Sequence, residues 1–173
     1  IETELYHAGK PLSERSIDYL EFGRCSRILD STQFDKSINV LSSRNERTGL
    51  KTRAQLADAL ADSKITLALT RLDNQPELAE GVDTLTQRYW ECMLSGVVIL
   101  GRAPQELIDI IGYDPVVHLD KDNANDQILG ILEHIEDYQE LVDRNRQRAL
   151  EHGDWKVRIE WMMGVMKKQG YEV

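Results

Sequence analysis

The sequence predicts an α/β domain, a Rossmann-like doubly wound parallel sheet with extra C-terminal helices. Three observations carry that prediction. Apolar runs of strand length alternate with helical patterns through the first 120 residues, as βαβ units do. Most of these runs are continuous, the pattern of strands covered on both faces. After Asp120 the rhythm changes to helices alone. Right-handed crossovers wind such a chain on both sides of its sheet. Ligands then bind at the carboxyl ends of the strands, near the switch point.

The elements follow in order. Leu5 to Ala8 reads as a short first strand ending at Gly9-Lys10, and Pro11 breaks the pattern. Ser13 can cap a helix over Glu14 to Leu29, with Ile17, Leu20 and Ile28 inward and Gly23 as an interruption. Ser37 to Leu41 reads as the second strand, before a polar loop, Ser42 to Gly49, that carries Arg44 and Arg47. Thr52 to Ala61 reads as a helix with Leu56 and Leu60 on one side. Ile65 to Leu69 is the third strand, and Thr70 to Val82 a long loop containing Asp73, Glu77 and Glu80. Pro104 opens a helix that Gly112 ends, and Val116 to Leu119 is the fifth strand. Ala124 to Ile135 and Tyr138 to Glu151 read as helices. Gly153 separates them from a last one, Trp155 to Lys168, with Trp155, Ile159, Trp161, Met162, Val165 and Met166.

Between these lies the stretch around which the chain is arranged, Asp83 to Gly101. Thr84 can cap a helix and Gln87, three residues on, can complete a capping box. Leu85, Tyr89 and Met93 recur at helical spacing and face a core. Thr84, Arg88 and Glu91 share a polar face. Gly96 fits the helix stop, and Val97 to Leu100 is a buried fourth strand. The N–H groups opening such a helix attract anions, phosphate above all. Glu91 sits seven residues after Thr84, about 10 Å along the axis. A carboxylate there can accept from sugar hydroxyls while the helix start holds a phosphate. The plainer reading is a capped amphipathic helix with Arg88 and Glu91 as a surface pair.

Composition bounds the function. A chain of 173 residues suits one domain with a substantial core. Its net charge of −9 argues against a surface that coats nucleic acid. Cys25 and Cys92 form no CxxC and no metal spacing, which favours a reduced, cytoplasmic setting. No apolar run approaches the roughly 20 residues of a membrane span. GxGxxG, the P-loop, GxSxG and HExxH are all missing. His7, His118, His134 and His152 show no ligand spacing, and only His7, at the end of the expected first strand, draws notice. No metal or cofactor is expected. The loops after the expected strands hold Lys10, Arg44, Arg71 and Arg102, basic residues in an acidic chain.

Asp83-Thr-Leu-Thr-Gln-Arg-Tyr-Trp-Glu91 followed by Cys-Met-Leu-Ser-Gly96 and an apolar strand resembles the signature helix of GT-B glycosyltransferases of group 1. That signature runs Glu, seven residues, Glu, then a glycine five positions later. Leu85-Thr86-Gln87-Arg88-Tyr89-Trp90-Glu91 looks most like the spore-maturation-type branch. The likeness is best from about Ala54 to Leu119, and the closing helix with Trp155 and Arg158 also suits the family.

The resemblance implies a nucleotide-sugar donor, UDP- or GDP-linked. Residues 1–173 would form a single donor-binding domain, the C-terminal half of an enzyme whose N-terminal acceptor domain is missing here. Glu91 would hold the ribose. The backbone at Thr84, Leu85 and Thr86 would hold the diphosphate, with Gly9-Lys10 or Arg88 neutralising charge. Asp83, in the place of the first acid, would face the transferred sugar as the catalytic residue. Arg44 or Arg53 would lie near the base or phosphates. Two departures stand out: Asp83 is shorter than Glu, and Thr86 replaces a small glycine. The rival reading is a non-catalytic Rossmann-like module that binds a nucleotide or a protein. A receiver-type domain fits poorly, since Leu41 is followed by Ser42-Ser43-Arg44 rather than an aspartate.

Overall fold

The computed structural model describes residues 1–23, 28–43 and 50–171. Five parallel strands form one sheet in the order β2-β1-β3-β4-β5. They are β1 (Ile17–Glu21), β2 (Val40–Ser42), β3 (Ser63–Ala68), β4 (Val98–Gly101) and β5 (Val117–His118). The helices are α1 (Arg53–Ala61), α2 (Arg71–Asn74), α3 (Pro76–Ala79), α4 (Gln87–Ser95), α5 (Gln105–Ile111), α6 (Ala124–Glu133), α7 (Gln139–His152) and α8 (Trp155–Lys168). The order reverses direction at β1 and β3, so the switch point lies between their carboxyl ends.

Strand alternation sorts side chains into two cores. Tyr19, Ile65, Leu67, Val98 and Leu100 pack with Ile128, Ile131 and Val142 of α6 and α7. Leu20, Ala68 and Ile99 pack on the other face with Ala57, Leu60, Tyr89 and Met93 of α1 and α4. Cys92 is fully buried there; Cys25 lies outside the described residues.

The beginning of the chain corrects two expectations. Leu5 to Ala8 is not a strand: Thr3–Leu5 is a 3-10 turn and the chain after it is irregular. No helix begins at Glu14, because residues 17 to 21 form β1 between β2 and β3. Ile17 and Leu20 stand three apart and mimic a helix face, but Tyr19 and Leu20 are both buried in a central strand, and Phe22 just past it. The expected loop from Thr70 to Val82 also holds two short helices, α2 and α3.

Elsewhere the local signals hold. Thr52 caps α1, accepting from Gln55 N at 3.2 Å, and the Gln55 side chain returns to Thr52 N. Gly96 (φ +62°) ends α4, and Gly112 (φ +87°) ends α5.

Gly101 is the tightest point of the sheet. Its φ is +143°, and a Cβ there would sit 2.0 Å from Ala68 O on the paired strand. Gly101→Ala is expected to cost about 2–4 kcal/mol through strain and strand displacement. Urea denaturation of the two proteins measures it.

Candidate functional site

The carboxyl ends of β3 and β4 meet in a knot of charge. Arg102, just past β4, donates from Nε to Asp73 Oδ1 at 2.8 Å. Its Nη1 and Nη2 reach the two oxygens of Asp83 at 2.8 and 2.9 Å, a bidentate pair. Nη2 also donates to Thr70 Oγ1 at 2.9 Å. Asp73 accepts in addition from Thr70 N and Oγ1. The Tyr89 hydroxyl, on a fully buried ring, donates to Arg102 O at 2.5 Å. Hydrogen bonding from Arg102 holds the Asp83 carboxyl below its ordinary value despite partial burial. The same bonds, Asp83 first, hold the Arg102 guanidinium above its own.

This knot sets where α4 begins. Residues 82 to 86 run without regular structure from Asp83, and the N-cap is Thr86, not Thr84. The expected capping box at Thr84 and Gln87 is therefore not formed: the Arg102 pairing fixes Asp83 outside the helix, and Gln87 is its first residue. The Thr86 side chain makes no capping bond, so the first-turn N–H groups point out of the helix without an acceptor from their cap. Glu91 then stands four residues after Gln87, about 6 Å along the axis.

Arg88 reaches the switch point. Its guanidinium carbon lies 4.6 Å from the centre of the Phe22 ring, just past β1. Gly23 adjoins it with φ +72°, and a Cβ there would overlap Arg88 Nη2. Position 23 thus needs glycine for its backbone, and any side chain there would also have to displace the arginine beside it.

Glu91 is half-buried, and the Tyr6 hydroxyl donates to its Oε1 at 2.8 Å. Burial, then the Glu91 carboxylate, raises the Tyr6 phenol above its ordinary value.

The other named residues are spread more widely. Gly9 is pressed against the Ala61 carbonyl, where a Cβ would overlap it. Lys10 is exposed, and its carbonyl accepts from Arg15 Nε at 2.9 Å, while Arg15 Nη1 donates to Ser63 O. Ala61 and Ser63 mark the amino edge of β3, so Gly9 and Lys10 lie at the opposite edge from Arg102 and the α4 start. They follow no strand, because Leu5 to Ala8 forms none. Arg53 opens α1, exposed, 3.9 Å from Glu2. His7 is exposed, 3.6 Å from Asp58. Arg44 lies outside the described residues.

Thr84 is exposed. Leu85, Thr86 and Gln87 line a cleft of about 330 Å³ between the start of α4 and α8, with Trp90, Trp155 and Trp161 among its other walls. A second cleft of about 620 Å³ adjoins it between α5 and α8. Arg158 lines both and pairs with Glu106 at 3.0 Å. Glu91 lines neither.

Sequence reasoning missed Tyr6, Phe22 and the tie of Asp83 to Arg102. Each depends on a partner far along the chain. The available signals were weak: Arg102 as a basic residue after a strand, and Asp73 in an acidic loop.

An all-parallel sheet with this switch point, and with the arginine and helix start beside it, defines a Rossmann-like domain whose ligand side is the carboxyl edge. The sequence profile of the glycosyl transferase-like family matches residues 24–164. The chain belongs to that family, and its role is glycosyl transfer. Among curated proteins none matches it significantly. No helix among the described residues is long and apolar enough to cross a membrane.

Because Asp83 titrates below its unfolded value, about 3.9, its pairing stabilises the fold fully above that pH. The stabilisation is lost as pH falls through the lower folded value. Arg102 is a third exposed, so screening limits the cost of Arg102→Ala to about 2 kcal/mol at neutral pH. The variant is expected to show a flatter loss of stability below pH 4 than the wild type, measured by denaturant titration across pH.

Proposed function

We propose that this domain binds the donor of the transfer, a nucleoside-diphosphate sugar, at the carboxyl edge of the sheet. The observation that carries the proposal is α4. It starts uncapped at Thr86, keeps Arg88 at the switch point, and holds Glu91 one turn further in. The backbone from Thr84 to Gln87 would take the diphosphate, since helix N-termini favour anions. Arg88 would offset its charge and Glu91 would accept from the ribose. As the bond to the sugar breaks, charge grows on the leaving diphosphate. The helix N–H groups and the guanidinium are then already in place to stabilise it. UDP and GDP remain the two candidate carriers, and the 85–91 stretch favours the spore-maturation-type branch.

Arg102 holds both oxygens of Asp83, which leaves that carboxylate fewer acceptor sites with which to face the transferred sugar. That engagement favours the rival reading, a nucleotide-binding module without catalysis. Arg53 sits at the start of α1 and would serve the base or phosphates from there. Gly9 and Lys10, at the amino edge, have no part in this arrangement.

The acceptor would bind to an N-terminal domain of GT-B type, completing a cytoplasmic two-domain enzyme. Its support here is α8, a helix of 14 residues with none buried and with Trp155, Ile159, Trp161 and Met162 exposed. A surface of that kind marks an interface. Alone, the donor half would bind without turning over.

The test is thermal. Millimolar UDP or GDP is expected to raise the melting temperature by several degrees, as saturation well above Kd does, and Glu91→Ala to abolish the rise. No shift with any nucleoside diphosphate would refute donor binding. Binding without transfer by the full-length protein would favour the non-catalytic module.

A further inference from the structure

The bond from Tyr6 to Glu91 joins residues 85 positions apart in the chain. Tyr6 is 3% exposed and packs in the core with Leu20, Ala57, Leu60 and Trp90. The segment around it is tied at both ends. Ile1 N donates to Gly153 O at 2.9 Å, and Thr3 Oγ1 to Asp154 Oδ2 at 3.2 Å. Gly9 is wedged against the Ala61 carbonyl. The phenol is therefore a fixed donor. It also lies outside residues 24–164, so the family match does not account for it.

We propose that Tyr6 is a positioning residue for Glu91, holding Oε1 so that Oε2 is presented to the ribose hydroxyls of the donor. The inference rests on the nucleotide-sugar reading above. A glutamate turns about three side-chain torsions, and that freedom is lost on binding at some cost in affinity. A bond from an immobile phenol removes much of it beforehand. A carboxylate has about four acceptor sites, so one bond leaves room for a vicinal diol. The direction of the bond is settled as well: burial and the facing carboxylate both keep the phenol protonated, so it donates and Glu91 stays an acceptor.

Tyr6→Phe keeps the ring in the core and deletes the donor. UDP and GDP, and their 2′,3′-dideoxy counterparts, are titrated against the full-length wild type, Tyr6→Phe, Glu91→Ala and the double variant. The readout is the ratio of dissociation constants, dideoxy over ribo form. Within one sample this ratio does not depend on the fraction folded, and a purely structural role for Tyr6 leaves it unchanged. The wild type is expected to favour the ribo form by about tenfold, the scale of one hydrogen bond to a charged group. Tyr6→Phe is expected to lose most of that preference with dideoxy affinity unchanged. In the Glu91→Ala background it is expected to have no further effect. An unchanged ratio in Tyr6→Phe overturns the positioning role and leaves donor binding standing. A stronger ribose preference overturns it too, by making the phenol a competitor for Glu91. If the wild type binds neither nucleotide, both readings fall.

Discussion

The carboxyl edge of this domain is organised by one guanidinium. Register pairs Ala68 of β3 with Gly101 of β4, so Arg102 leaves its strand beside Thr70, where the chain after β3 turns away. From there it gathers Asp73 and both oxygens of Asp83. Between Thr70 and Thr86 the chain has only two short helices and buries little beyond Ala79. Ordering a backbone residue costs about 1–2 kcal/mol, and so weak a core cannot offset that alone. The Arg102 bonds fasten the far end of the excursion, and so fix the residue at which α4 begins. Gly101 belongs to the same constraint, since no side chain fits where the two strands close on each other.

The knot also shapes the electrostatics of the edge. Two carboxylates around one guanidinium leave no surplus of positive charge, and the chain as a whole is acidic. An anion drawn to this edge must answer to short-range features: the first-turn N–H groups of α4, which lack a side-chain cap, and the guanidinium of Arg88 over Phe22. Such attraction is local and directional, and it survives a Debye length of about 8 Å far better than a diffuse field does. An acidic protein can therefore hold a phosphate without binding polyanions at large.

Local rules made much of this legible. Strand and helix alternation gave the parallel sheet, the glycine stops of α4 and α5 fell at Gly96 and Gly112, and the helices from α5 onward lay close to their expected bounds. The errors share a cause. Ile17 and Leu20 satisfy a helical period as well as a buried strand, and short apolar runs do not separate the two; only pairing with Val40 and Ile65 neighbours decides it. Thr84 and Gln87 carry a capping signature, yet Asp83 is held by an arginine 19 positions away. Glu91 was visible as a carboxylate on a helix, but its partner Tyr6 is 85 positions distant. The position of Gly9-Lys10 followed from a strand that does not exist, so that error was inherited rather than independent.

The last helix bears on the width of the cleft beside α4. Apolar residues of α8, Trp155, Val157, Ile159, Trp161, Met162 and Val165 among them, cover a broad face of the helix, and none is buried. So broad an apolar face is seldom left to water. Its polar ties to the rest include the Arg158–Glu106 pair and the bond from Thr3 to Asp154 at its start. Yet α8 supplies one wall of the cleft whose other wall is the start of α4. The width of that cleft thus depends on where α8 rests as well as on the sheet. A covering body that presses α8 inward would narrow the space beside Thr86 and Gln87. This physical link would let occupancy of the helix surface and occupancy of the cleft influence each other.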